Sequence, residues 1–237
     1  MTDLKNAKIA VINFSGNVGK STVSKHLLVP RMEGATLLAV ETINADEGAD
    51  LTVNGAQFGD VQAALLTADG AVLDIGASNV EAVMGMMGKY KGSHEDFDLF
   101  VIPVTKDDKQ LRDTIGTIMA LARMGVSGKR IVVVMNQVEP GEKVEEAFAG
   151  LFAFHAASGG FTLRPQAAIY FNEVYQKSRE VGLSVSELVA DETDWKAVIR
   201  ETADPQVKAD AVQRLMLRRL ALSANENLDT VFAALAA

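Results

Sequence analysis

Cysteine is absent from the 237 residues, and histidine occurs only 3 times. Without a thiol there is no disulfide staple, no thiolate nucleophile and no cysteine-based zinc site. His26, His94 and His155 are scattered and lack ligand-like spacing, which argues against an all-histidine metal cage. No stretch reaches the roughly 18 uninterrupted apolar residues that a membrane-spanning helix needs. The segment from Met1 to Lys8 lacks the charged, apolar and small-residue zones of a secretory leader. A cytoplasmic location is the expectation, and a cysteine-free composition allows it. Net positive charge is missing as well, the formal balance being -8. A chain that acidic is no general coat for DNA or anionic lipid, so any such contact would need a local basic patch.

What is present is globular: 48% hydrophobic and 23% charged residues. Short apolar runs alternate with longer helical stretches. Lys8 to Phe14, Thr36 to Val40, Gly70 to Ile75, Asp98 to Val104, Arg130 to Met135 and Ala167 to Tyr170 read as strands. Ser21 to Arg31, Gly55 to Leu66, Val80 to Lys89, Asp107 to Met124 and Lys143 to His155 read as helices between them. On the helix from Asp107, the residues Leu111, Ile115, Ile118 and Leu121 share a face. Trp195 to Arg200, Gln206 to Leu222 and Leu228 to Leu235 complete the helical set. This alternation predicts an α/β three-layer sandwich, a mostly parallel sheet flanked by helices. With no repeat or linker, residues 1–237 read as a single domain with a helical C-terminal portion from about residue 191.

The most informative segment runs from Phe14 to Thr22, FSGNVGKST, after a strand and at the opening of a helix. That context makes a Gly-Lys-Ser string a candidate phosphate loop. Backbone N–H groups around Gly16, Asn17, Val18, Gly19 and Lys20 can form an anion nest, reinforced by the positive end of the helix dipole. Lys20 can reach the outer phosphates, Ser21 can ligate Mg²⁺, and Thr22 can touch the inner phosphate. The strict pattern asks for glycine where Phe14 stands. The plainer reading is a glycine turn carrying a solvated lysine. Asp74, at the tip of the strand Ala71 to Leu73, is placed to hold Mg²⁺ through water, with Gly76 free to approach the last phosphate. Its plainer reading is a solvated carboxylate.

The loop resembles that of the ParA/MinD family of P-loop ATPases, KGGxGK[ST], through Gly16, Val18, Gly19, Lys20, Ser21 and Thr22. The opening KIAVINFSGNVGKSTVSKHLL resembles, within it, proteins encoded beside plasmid stability and conjugation genes. At fold level the resemblance covers about Lys5 to Leu188. Two departures stand out. Ser15 replaces the lysine that in this family crosses a dimer to the partner's nucleotide, and Asn17 replaces a glycine. The resemblance implies ATP and Mg²⁺ as cofactors, with Lys20 as a catalytic residue. It also implies a nucleotide-dependent homodimer and a small DNA-binding partner protein from the same operon. In the first switch, Glu41 matches the family's first acid and Ile43 falls at the second. Asp46, slightly further on, is the candidate water-positioning residue, and Glu41 a polar neighbour of the Mg²⁺ site. Asn136, after the strand ending at Met135, is implied to set its amide against the adenine edge; a turn asparagine is the alternative. Ala168 to Val174 resembles the last strand and the loop that covers the base.

Lys208, Arg214, Arg218 and Arg219 form a basic side of the helix Gln206 to Leu222, opposite Val212, Met216, Leu217 and Leu220. Such a helix suits DNA or membrane contact, or plain packing by its apolar face. Asp107 and Asp108 suit a helix start and Trp195 a packing anchor. The sequence therefore points to a slow ATPase acting in plasmid stability, positioning or conjugation. A nucleotide-binding adaptor without meaningful turnover is the rival, and a carboxylate-activating synthetase with a related loop is a third reading.

Overall fold

β-Branched runs with no polar alternation belong in strands covered on both faces, and here they build one parallel sheet. The computed structural model describes residues 3–41, 51–53 and 57–237. Its strands are β1 (Lys8–Val11), β2 (Thr36–Val40), β3 (Leu51–Val53), β4 (Ala71–Ile75), β5 (Leu99–Val104), β6 (Ile131–Val138) and β7 (Thr162–Tyr170). The sheet order is β3-β2-β4-β1-β5-β6-β7, with every neighbouring pair parallel. Register sets Val11 of β1 beside Asp74 of β4.

Helices lie on both faces: α1 (Lys20–Thr22), α2 (Phe58–Thr67), α3 (Val80–Lys89), α4 (Asp108–Arg123), α5 (Val144–Ala147) and α6 (Ala149–Ser158). They continue with α7 (Val174–Glu180), α8 (Val185–Ala190), α9 (Trp195–Glu201) and α10 (Pro205–Ala236). On one face Phe58, Val61, Leu65, Val83, Met87, Ile118, Leu121 and Leu151 close a core over Ile12, Leu73 and Ile102. On the other, Val23, Leu27 and Leu28 join Leu228, Val231 and Leu235 over Ile9, Val72 and Val101. The expected three layers are thus present. A smaller cluster ties α7 and α8 to α10 through Val174, Val185, Leu188, Leu217 and Ala221.

Several elements differ from the expectation. β1 ends at Val11, so Asn13 and Phe14 belong to the loop. The first helix is α-helical only at Lys20–Thr22, then π-helical over Val23–Leu28 and 3-10 over Val29–Arg31. Ser24 Oγ donates to Lys20 O at 3.0 Å, a back-bond of the kind that loosens a helix, and Pro30 limits its continuation. β7 starts at Thr162 and tolerates Pro165 because it is an edge strand. β3, α7 and α8 were not expected. The two helices expected after residue 206 are one 32-residue helix, since no glycine or proline interrupts it.

The polarity of α10 also needs correcting. Its buried line is Ala211, Leu217, Ala221, Ala224 and Leu228, while Val212 and Met216 are exposed on the side that carries Lys208 and Arg219. Small alanines, which let the helix sit close, decide the inner face more than large apolar residues do. Among the described residues no helix is long and apolar enough to cross a membrane.

Candidate nucleotide site

The loop after β1 is held from two sides before any ligand is considered. On its leading limb, Asn13 is fully buried. Its Nδ2 donates to Pro103 O at 2.9 Å and to Thr114 Oγ1 at 2.7 Å. Its Oδ1 accepts from Ser15 N at 2.8 Å. Phe14 N donates to Thr117 Oγ1 at 3.1 Å. This explains Pro103 inside a central strand. β1 pairs with β5 only as far as Val101, and beyond that point the Asn13 side chain takes the carbonyl that a strand would have taken.

The trailing limb is fastened to β6. Asn136 is buried, its Nδ2 donates to Val18 O at 2.9 Å, and its Oδ1 accepts from Gln137 N at 2.9 Å. The pairing of β6 with β7 is irregular between Met135 and Val138, and Gln137 sits at φ 58°. That bulge re-aims Asn136 toward the loop. These two bonds use one N–H and one lone pair of the Asn136 amide; one N–H and one lone pair remain for the base contact that the resemblance implied.

Between these supports the loop presents backbone. Asn17 has φ 58° and Gly19 φ 93°. A Cβ on Gly19 would fall 1.9 Å from Asn136 Nδ2, so glycine is required there by space and by dihedral. A Cβ on Gly16 would meet nothing within 4 Å. Gly16, Asn17 and Ser21 form an exposed rim, Val18 and Lys20 a buried floor, and Thr22 is half-buried. No side chain caps the helix start at Lys20, in contrast to Asp107 at α4 and Asp204 at α10. The first-turn N–H groups of that helix are those an anion would take.

Lys20 lies across this rim, its Nζ 2.8 Å from Ser15 O and 3.4 Å from Asn13 O. Burial pulls its ammonium pKa down, while the charges of Asp74 and Glu41 push it up. A buried cation facing backbone carbonyls and two carboxylates suits a phosphate, which offers it a full charge. Asp74 is buried at the end of β4. The Glu41 carboxylate lies so close to Gly76 that a Cβ there would be 2.9 Å from Oε2. Gly76 N donates to Val40 O at 3.0 Å, which ties the ends of β2 and β4 together beside the loop.

The site thus gathers Gly16, Asn17, Val18, Gly19, Lys20, Ser21, Thr22, Asp74, Gly76, Glu41 and Asn136. Asp46 lies outside the described residues, as do Ile43 and Asn44. Among the described residues no group of three or more His, Asp or Glu side chains could hold a metal. Ser21, exposed on the rim, and Asp74, buried at the strand end, carry oxygen ligands of the kind Mg²⁺ takes together with phosphate oxygens and water.

Sequence reasoning missed Asn13, Thr114 and Thr117. The signal was there in part: a polar residue closing an apolar run, and threonines three apart on the inner face of α4. Ser15, where the resemblance expects a crossing lysine, is buried. Asp107 N-caps α4 by accepting from Lys109 N and Gln110 N, as expected of a structural residue. Trp195 anchors through Nε1 to Asp191 Oδ2 at 2.8 Å.

No protein-family profile matches the sequence, and no curated protein sequence matches it significantly. Solved structures do match. The cell division ATPase MinD of Pyrococcus furiosus superposes with a TM-score of 0.52 at 12% identity, covering 89% of this chain and 98% of that one. Apo McdA of Cyanothece gives 0.50 at 13% identity, covering 91% and 99%. At such identities the likeness is one of fold. The chain has the three-layer α/β fold of these proteins, a parallel sheet covered by helices on both faces.

Proposed function

We propose that the protein binds ATP with Mg²⁺ and works as a slow ParA-like ATPase. The observation that carries this reading is the Lys20 ammonium, buried at the mouth of an uncapped, glycine-shaped loop and held there by backbone carbonyls. When phosphate arrives, Lys20 leaves Ser15 O for a phosphate oxygen, and the N–H groups of residues 16–22 close around the anion. Ser21 and Asp74 would hold the Mg²⁺, which would supply charge neutralisation on the phosphates. Asp46 orients the attacking water, and the segment around Gly76 responds to the last phosphate.

The finer reading is of a plasmid stability, positioning or conjugation protein akin to StbB, cytoplasmic, with residues 1–237 as one nucleotide-binding domain. Its partner is a small DNA-binding protein from the same operon, and ATP drives a homodimer. Fold likeness to a cell division ATPase supports the coarse part; the loop's opening sequence supports the fine part.

One observation favours a second reading, an adaptor without meaningful turnover. Ser15 is a buried, uncharged side chain, so it offers no cation to a second nucleotide. Phosphate release from wild type and Lys20→Ala separates the two. Release above the Lys20→Ala background supports an ATPase; ATP binding with equal rates supports the adaptor.

A further inference from the structure

α4 does more than cover the sheet: its inner face holds the leading limb of the loop residue by residue. Thr114 Oγ1 takes one Asn13 N–H at 2.7 Å. Thr117 Oγ1 takes the Phe14 N–H at 3.1 Å. Its own proton lies between Asp113 O at 2.8 Å and Asn13 Oδ1 at 3.4 Å. Gln110 Nε2 reaches Gly16 O at 3.5 Å. Thr114 and Thr117 are completely buried, where apolar residues would serve packing better, since a buried hydroxyl costs stability unless bonded.

The consequence for the site is specific. The N–H groups of Phe14 and Ser15 are occupied by Thr117 and Asn13. They are withheld from phosphate, and the anion nest begins beyond them. The Ser15 carbonyl that docks Lys20 is oriented by the same contacts. We propose that Thr117, with Thr114, is a positioning residue for nucleotide binding: α4 sets the conformation of residues 13–15 and so the place from which Lys20 meets the phosphate. This inference rests on the nucleotide reading above.

The test is an equilibrium titration of full-length protein with a fluorescent ATP analogue and Mg²⁺, well below the Tm of every variant. There, a residue that only stabilises the fold leaves affinity unchanged, because the unfolded fraction is negligible. Thr117→Val is expected to weaken binding about tenfold, or ~1.4 kcal/mol. Thr117→Ser keeps the hydroxyl and is expected to stay within about twofold of wild type. If Thr117→Val fails to fold, Thr114→Val, which removes the acceptor of an Asn13 N–H, replaces it, with an expected rise in Kd of about threefold. Wild-type affinity in the folded variant overturns the proposal. Lys20→Ala in the same series separates the failures. Loss of binding there with none in Thr117→Val sinks the α4 inference alone, whereas a wild type that binds nothing sinks both.

Discussion

Two buried polar regions of this protein are built to opposite rules. Under the loop, Asn13 is buried and its donors and acceptor are all engaged. Where the first helix meets α7, His26 Nδ1 and Tyr175 OH are buried with no hydrogen-bond partner among the described residues. His26 and Tyr175 stack obliquely at 5.6 Å without a hydrogen bond between them. Beside them Arg31 makes the join to α10 directly, donating to His26 O at 2.9 Å, Asn225 Oδ1 at 2.7 Å and Asp229 Oδ1 at 2.8 Å. A satisfied network fixes one geometry, which a phosphate site needs. An unsatisfied one costs stability and leaves a joint that is easier to perturb.

The contrast can be broken at its rigid end first. Gly19→Ala places a methyl group on Asn136 Nδ2 and demands a left-handed alanine. Loss of nucleotide affinity of about a hundredfold or more is expected, with several kcal/mol lost from folding, on the order of ~3. Isothermal binding and urea unfolding read both. Retained affinity would show that the loop's shape is not what binds.

The softer region should answer to pH. Burial, then the nearby charges of Lys25 and Arg179, lower His26 from 6.5 to about 4. The folded state holds this proton less well than the unfolded chain, so the stability is complete above pH ~6.5 and is lost as pH falls toward 4. The loss is bounded at roughly 3 kcal/mol. Urea midpoints between those pH values should drop in wild type and drop less in His26→Gln; parallel curves would remove His26 from the account.

The smallest effect is expected at Tyr175, whose hydroxyl burial pushes up in pKa. Tyr175→Phe removes a buried group with no partner, so stability should hold or rise by about 1 kcal/mol. A clear fall in Tm would mean that the hydroxyl is bonded after all and that the two regions follow the same rule.

The strands and the loop were legible because their signals are local. The run KIAV, the string from Gly16 to Thr22 and Asp74 at a strand tip each carry their meaning within a few residues. What was hidden depends on distance along the chain. Asn13 and Thr114 are 101 positions apart, and nothing in either neighbourhood announces the other. The contact of Asn136 with Val18, 118 positions away, was equally hidden. The face of α10 was misjudged because alanines at 211, 221 and 224 pack where larger apolar residues would not fit. The π-helical turn after the loop likewise reflects Ser24 bonding back to Lys20, which composition does not display.

The central claim is that the loop around Lys20 takes the phosphates of ATP. Calorimetric titration of the wild-type protein and Lys20→Ala with ATP and Mg²⁺ tests it most directly. The account predicts one saturable site in wild type and its loss in Lys20→Ala, with the Tm of the ligand-free proteins little changed. Equal binding by both proteins, or no binding by the wild type, would contradict it.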